Sequence, residues 1–343
     1  MALWTDIIDP ATLTGYARAS LAEYEAQKGT LARWLPNRTV LDTVVRLVQG
    51  DAGLVDIAKY RAFDAEPEIG RKRHGKRVTL ELPALGQNIP VSEYQQLRAR
   101  NVSDDAMLNS IQSTTDTVVR AVADAIEYLR GIVLATGVAT IDQDNFKTAD
   151  NFGRRPEHTV TATALWNTTT VSRLEDLQTW ADTYVDANGE EPGAFLMPKR
   201  VFRALAAGDE FRTVLNGGGS RNATRDEINA ILDSENMPQI ITYDRRVSVD
   251  GVTTRVLPED TLLMLPAPGE TTNEAGTALG STVWGQTLTA TDPDWQIEDS
   301  EQPGLVAGVW RNPKPPMVAE VISDAIALPV LANANLSLAA KVL

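Results

Sequence analysis

The residues of this chain best suited to chemistry are cationic. Residues 68–77 read EIGRKRHGKR and gather Arg71, Lys72, Arg73, His74, Lys76 and Arg77 in one short stretch. Such a run is a motif for nucleic acid or another anionic partner. The rest of the chain opposes the first reading. Asp and Glu number 46 against 32 Lys and Arg, a formal net charge of -14, and a strongly acidic surface repels nucleic acid and anionic membranes. The run also carries no aromatic side chain for stacking single-stranded bases, and no recognition helix adjoins it. A further reading is contact with an acidic surface on a neighbouring subunit.

Other candidate chemistry fails on spacing. The two histidines, His74 and His158, form no HExxH pair, and each is expected to be solvent-exposed or locally hydrogen-bonded. With no cysteine, thiolate nucleophiles, disulfides and zinc–thiolate sites are excluded. The tract Asn216-Gly217-Gly218-Gly219-Ser220 matches neither GxxxxGK[ST] nor GxGxxG and reads as a loop. Asp142-Gln143-Asp144-Asn145 begins like a calcium loop, but Phe146 and Lys147 stand where a ligand and a glycine are required. Asp292-Pro293-Asp294 reads as a turn. There is no GxSxG elbow, and nothing selects one carboxylate pair from the many acids. Asn37, Asn101, Asn167, Asn222 and Asn335 begin N-x-[ST] triplets and are read as chance or capping residues. The sequence therefore offers no catalytic, cofactor-binding or metal-binding residue.

The elements around the basic run explain its setting. Val78-Thr79-Leu80-Glu81-Leu82 alternates apolar and polar residues, the period of a half-buried strand. Val55 to Phe63 is its expected partner, making a long two-stranded hairpin with a cationic tip. A lone ribbon of two strands is marginally stable and needs another surface to lie on. Before it, residues 1–50 read as short helices and loops, too thinly apolar for a core of their own. After it, Ser103 caps a helix in which Leu108, Ile111, Thr115, Val118, Val122, Ile126, Leu129 and Val133 form one stripe, stopped by Gly137. Such a helix spans roughly 50 Å.

Beyond residue 156 strand and helix alternate. Ser172-Arg173-Leu174-Glu175 and Thr224-Arg225-Asp226-Glu227 are capping boxes. Ala194 to Met197, Gln239 to Tyr243, Thr253 to Leu257 and Thr261 to Leu265 are expected strands, with Asp250-Gly251 as a hairpin turn. The last forty residues are β-rich after a stiff Pro313, Pro315, Pro316 hinge. The class is α+β with several lobes, as a chain of 343 residues allows. The N-terminus lacks a cationic n-region, so no signal peptide is expected. No apolar run has the length of a membrane span.

In this order the parts resemble the major capsid protein of tailed bacteriophages, in particular the lambda-like major head protein family. The landmarks are Glu68-Ile69-Gly70 through Glu81-Leu82-Pro83-Ala84-Leu85-Gly86, then Phe195-Leu196-Met197-Pro198-Lys199 with Phe202 behind it. Leu257-Pro258-Glu259-Asp260-Thr261 leads into Leu262 to Leu265, and Ala325-Ile326-Ala327-Leu328-Pro329-Val330-Leu331 lies near the C-terminus. The resemblance covers nearly the whole chain. It implies an N-terminal arm (1–50), an extended β-hairpin loop (51–100), a peripheral domain with a long spine helix (101–170), an axial domain (171–300) and a C-terminal return (301–343). It also implies hexamers and pentamers building an icosahedral shell around double-stranded DNA, with the extended loop lying over the adjacent subunit. Scaffold, portal and decoration proteins are implied partners. Packaged DNA is non-specific content, and no membrane is involved. Assembly would take place in the host bacterial cytoplasm. No covalent crosslink is expected.

On that reading Arg71, Lys72, Arg73, Lys76 and Arg77 sit at or near the loop tip and meet carboxylates of a neighbouring, net-acidic copy. Two alternatives stand beside it. One is an encapsulin-type nanocompartment shell, and the other is a soluble α+β enzyme with an unidentified carboxylate site.

Overall fold

The computed structural model describes residues 7–49, 76–99, 103–143, 146–168, 171–211, 222–298, 302–311 and 314–343. The chain opens with α1 (Pro10–Lys28), capped by Asp9, whose carboxylate accepts from the Thr12 amide, with Pro10 at the first helical position. One 19-residue helix thus replaces the expected series of short ones. Pro10 starts this helix instead of interrupting it, and the next break comes only at Gly29.

Strands β1 (Asn37–Thr39) and β2 (Val44–Gln49) follow, then β3 (Lys76–Glu81) and β4 (Ala84–Val91). The partner of β3 is β2, antiparallel, with Val45 opposite Leu80 and Gln49 opposite Lys76. The expected partner, Val55 to Phe63, lies outside the described residues, and the pairing with β2 is one that the sequence pattern did not point to. The β-branched run Val44-Val45 supplies the partner, so the ribbon starts earlier in the chain than its loop length suggests.

Helix α2 (Glu93–Ala99) leads to α3 (Asp104–Thr136), a 33-residue helix capped by Ser103 and ended by Gly137 in the left-handed conformation. Most of the expected stripe is buried: Ile111, Thr115, Val118, Val122, Ile126, Leu129 and Val133 are buried, whereas Leu108 is half-buried and its neighbour Met107 is buried. Arg154 closes the helix end. Its guanidinium donates to the carbonyls of Leu134 (2.5 Å) and Ala135 (3.0 Å), favourable against the negative helix terminus.

A hairpin of β5 (Val138–Gln143) and β6 (Phe146–Asn151) precedes β7 (Thr159–Thr161). The next lobe contains α4 (Arg173–Asn188), β8 (Ala194–Met197), α5 (Lys199–Ala206), α6 (Arg225–Ser234) and β9 (Ile240–Thr242). Thr224 and Glu227 complete a reciprocal capping box, whereas Ser172 caps α4 from one side only, accepting from the Glu175 amide. Strands β10 (Arg246–Val249) and β11 (Val252–Arg255) pair across Asp250 and Gly251, both at positive φ, as a tight hairpin needs. The strand expected at Thr253 to Leu257 thus ends at Arg255, and its partner β10 went unread. β12 (Thr261–Leu265), β13 (Gly280–Trp284), α7 (Leu288–Thr291), β14 (Val306–Arg311), β15 (Ala319–Leu331) and β16 (Leu338–Lys341) complete the fold.

Two sheets organise these elements. The first runs β1-β13-β15-β14, with β4 also paired to β15. Its inner face lies on α3: Val119, Val122, Ala123 and Ile126 pack with Ala307, Ala325 and Ala327, and α1 adds Ala17 and Leu21 to the same cluster. The second runs β7-β16-β12-β8-β9, and its strands join Leu177, Trp180, Val201, Leu205, Ile228 and Leu232 from the lobe helices in the largest core. The lobe reaches α3 at Gly131, where an added Cβ would lie 2.1 Å from the Val256 carbonyl oxygen. The C-terminal stretch is core strand, as its sequence suggests. Among the described residues no helix is long and apolar enough to cross a membrane.

Candidate functional site: a buried ionic junction and the surfaces around it

Of the basic run, Lys76 and Arg77 form the start of β3, their backbones opposite Gln49 and Val48. Arg71, Lys72, Arg73 and His74 lie outside the described residues, as does the glycine tract at 216–220. Asp142 of the failed calcium loop pairs with Lys147 at 2.6 Å on the exposed β5–β6 hairpin. Asp292 accepts from the Asp294 amide at 3.0 Å, the turn its sequence indicates. Among the described residues no three His, Cys, Asp or Glu side chains converge to hold a metal.

His158 departs from expectation. It is fully buried at the turn before β7, with its ring centroid 6.2 Å from that of Tyr184. Burial pushes its pKa below the ordinary value, and the cations of Arg154 and Arg155 add to the effect against the backbone of Ser337 and the charge of Glu157. Its polar-looking sequence neighbourhood hides this, because Tyr184 and Ser337 arrive from distant segments.

The main polar constellation is one that spacing alone does not reveal. Arg130 is fully buried in α3. Its Nη1 meets Glu25 Oε1 of α1 at 2.6 Å and Glu127 Oε2, one helical turn away, at 3.0 Å. Its Nη2 donates to Asn37 Oδ1 of β1 at 2.5 Å, and its Nε to Thr282 Oγ1 of β13 at 2.9 Å. Asn37 donates back to Glu25 Oε2 at 2.9 Å and accepts from the indole N–H of Trp284. Glu127 also accepts from the Leu31 amide, the Thr30 hydroxyl and the Tyr243 hydroxyl.

A second guanidinium extends the cluster. Arg245 donates to Asp124 Oδ1 at 2.8 Å, lies 3.7 Å from Glu127 and stacks 5.0 Å from the Tyr24 ring centroid. Burial alone would weaken both guanidinium cations. The carboxylates of Glu25 and Glu127 outweigh it at Arg130, and Glu127 with Asp124 does so at Arg245, so both end above the ordinary value. Burial, reinforced by the charge of Glu127, pushes the Tyr243 phenol far up, which keeps it a neutral donor. Beside the cluster a pocket of about 380 Å³ opens between Tyr24, Thr30, Arg33, Trp34, Tyr243 and Arg246.

Nothing in this junction resembles a reaction centre. Its cations and carboxylates are mutually paired, Arg130, Glu25 and Glu127 are buried, and it joins α1, α3, β1, β13 and the segment after β9. Glu127 and Arg130 do carry one sequence signal, a charged pair three residues apart beside the apolar stripe. Their partners Glu25, Asn37 and Tyr243 lie about a hundred residues off in sequence, where periodicity cannot point.

The fold is that of phage capsid proteins. It is similar to a protein ascribed to a prophage capsid in Escherichia coli CFT073, with a TM-score of 0.63 at 13% identity over 98% of this chain and 99% of that one. It is also similar to a phage-related protein from Bordetella bronchiseptica RB50, with a TM-score of 0.57 at 12% identity over 99% and 97% of the two chains. No curated protein sequence matches the chain. The model of the phage major capsid protein E family matches residues 12–292, and the chain belongs to that family. It is a structural protein of the capsid, a shell-forming subunit, which agrees with the resemblance read from the sequence.

Proposed function

We propose that this chain assembles into hexamers and pentamers that build an icosahedral head around double-stranded DNA. The family match over residues 12–292 carries the reading. A heterologous contact that closes by rotation makes such rings, and many weak contacts become stable through multivalency. Assembly takes place in the host cytoplasm with a scaffold protein and a portal, and a decoration protein joins the finished shell. The chain has no catalytic role. Its parts are the arm at 1–50, the extended loop at 51–100, the peripheral domain at 101–170, the axial domain at 171–300 and the return at 301–343. The acidic balance of the chain suits a shell whose contents are polyanionic, since like charge keeps packed DNA off the wall.

In this reading Arg71, Lys72, Arg73, Lys76 and Arg77 contact carboxylates of a neighbouring copy. The purified chain is expected to form closed particles in negative-stain electron microscopy and to sediment as large assemblies. Monomers at every protein concentration, salt and pH tried would overturn the shell reading. Reversing Arg71 and Arg73 to Glu is expected to abolish particles while the unassembled chain keeps its near-ultraviolet circular dichroism. Normal particles from that variant at both low and high salt would remove the basic run from the contact.

A further inference from the structure

The sheet formed by β4, β15 and β14 has one face on α3 and another that the described residues leave largely open. Paired residues on neighbouring strands share a face. The open side therefore carries the rows Trp310–Glu320–Pro90, Gly308–Ile322–Asn88 and Val306–Asp324–Gly86. The segment from α7 to Trp295 covers one end only. Trp295 lies flat on Gly308, where a Cβ would come within 2.3 Å of its ring. Between this cover and the sheet runs a groove of about 520 Å³ lined by Leu288, Asp292, Trp295, Trp310, Ile322 and Asp324.

Two properties of the groove limit what it can receive. Leu288 is 89% exposed and Trp310 49%, and large apolar groups gathered at a surface mark contact sites. The rim is acidic. Asp292 is exposed and Asp324 half-buried in the lining, and half-buried Glu320 stands opposite Trp310 on the same face. Some surface carboxylates are matched, as in Arg200–Glu259 and Lys341–Asp260. None of these three rim carboxylates takes part in an ion pair among the described residues. Asp324 and Glu320 only accept hydrogen bonds, from Thr289 (2.6 Å) and Asn88 (2.7 Å). The fitting occupant carries several cations on long aliphatic stems, which can lie along Leu288 and over the Trp310 indole while their heads meet the rim.

We propose that this groove receives the basic run 68–77 of a second copy of the chain, with Arg and Lys heads on Asp292, Glu320 and Asp324. The inference rests on the reading above that the basic run contacts a neighbour, and it names the surface contacted. No other stretch of the sequence concentrates cations as this one does. Reach is sufficient: residues 50–75 separate β2 from β3, and half of that length, extended at about 3.3 Å per residue, spans roughly 40 Å.

The experiment mixes isotopically labelled and unlabelled chains, assembles them and applies a zero-length carboxyl–amine cross-linker, so that interchain products are recognised by mass. Cross-links from Lys72 or Lys76 to Asp292, Glu320 or Asp324 of another chain are expected. In parallel, Arg71→Glu with Arg73→Glu and, separately, Asp292→Lys with Glu320→Lys are each expected to lower particle yield by about tenfold or more, and the four changes together to restore it to within about twofold. Leu288→Ser, at a position too exposed to matter for folding, is expected to lower yield with the unassembled chain unchanged. Interchain cross-links from the basic run only to carboxylates elsewhere, with no rescue, would overturn the groove and leave the neighbour contact standing. Absence of interchain cross-links together with normal assembly of the Arg71, Arg73 variant would overturn both.

Discussion

The junction around Arg130 and the lobe around β8 and β12 solve the same problem by opposite means. The lobe holds its strands and helices through an apolar core: Phe195, Leu196, Met197, Leu262, Leu263 and Leu265 are all buried, and α4 and α6 begin at local caps. The junction joins segments far apart in sequence through charge. Arg130 reaches Glu25 across 105 residues and Thr282 across 152. Apolar contacts are tolerant of small shifts, because dispersion and burial are non-directional. A guanidinium with fixed forks is not, so the junction sets α1 and α3 at one register on β13. A buried ionic cluster is weak evidence for stability and is better understood as specifying an arrangement.

That contrast breaks most severely at Arg130. Arg130→Ala leaves Glu25 and Glu127 buried without their cation, and the expected loss is about 3–5 kcal/mol in urea unfolding of the unassembled chain. Sharpening comes from the partner. Glu25→Gln is expected to cost much less in an Arg130→Met background than in the natural chain, because the charge it would have balanced is gone. Equal costs in the two backgrounds would show that the cluster does not act as a unit.

Legibility follows the same division. Most of the buried face of α3 was readable, because a 3.6-residue period and two terminal caps are local signals: Ile111, Val118, Val122 and Val133 lie where the stripe put them. So were β8, the Thr224 box and the Asp250-Gly251 turn. The pairing of β3 with β2 was not, since register across a long loop has no local mark. At the junction, Glu127 and Arg130 stand three residues apart on α3, a spacing that carries no local sign of burial. Nothing near them in sequence announces Asn37 or Tyr243. The open groove was equally silent, because nothing local marks Leu288 and Trp310 as exposed until the sheet face they occupy is known.

On the lobe side the corresponding change is smaller. Thr224→Ala removes the acceptor for the Glu227 amide and half of the reciprocal box at the start of α6. Only one helix end loses satisfaction, and water reaches it, so a loss of about 1 kcal/mol is expected in the same unfolding assay. Thr224→Ser should recover most of it. A Thr224→Ala cost matching that of Arg130→Ala would mean that the lobe too depends on a few directional contacts.

The smallest effect lies at His158, between Tyr184 of the lobe and Ser337 before β16. In the unfolded chain its imidazole titrates near the ordinary value of 6.5, and burial holds the folded value lower. Below 6.5 the unfolded state therefore binds more protons than the folded state, and stability rises with pH across that window. The contribution is complete above 6.5 and is lost as pH falls through the folded value. The natural chain should lose stability between pH 7 and pH 5 more steeply than His158→Phe, which keeps an aromatic ring against Tyr184 and cannot titrate. Carboxylates common to both chains cancel in the difference. Parallel slopes would place the imidazole in contact with water after all, whereas a shallower slope for His158→Phe locates one acid-sensitive contact of the fold at the seam between the lobe and the strand that returns to it.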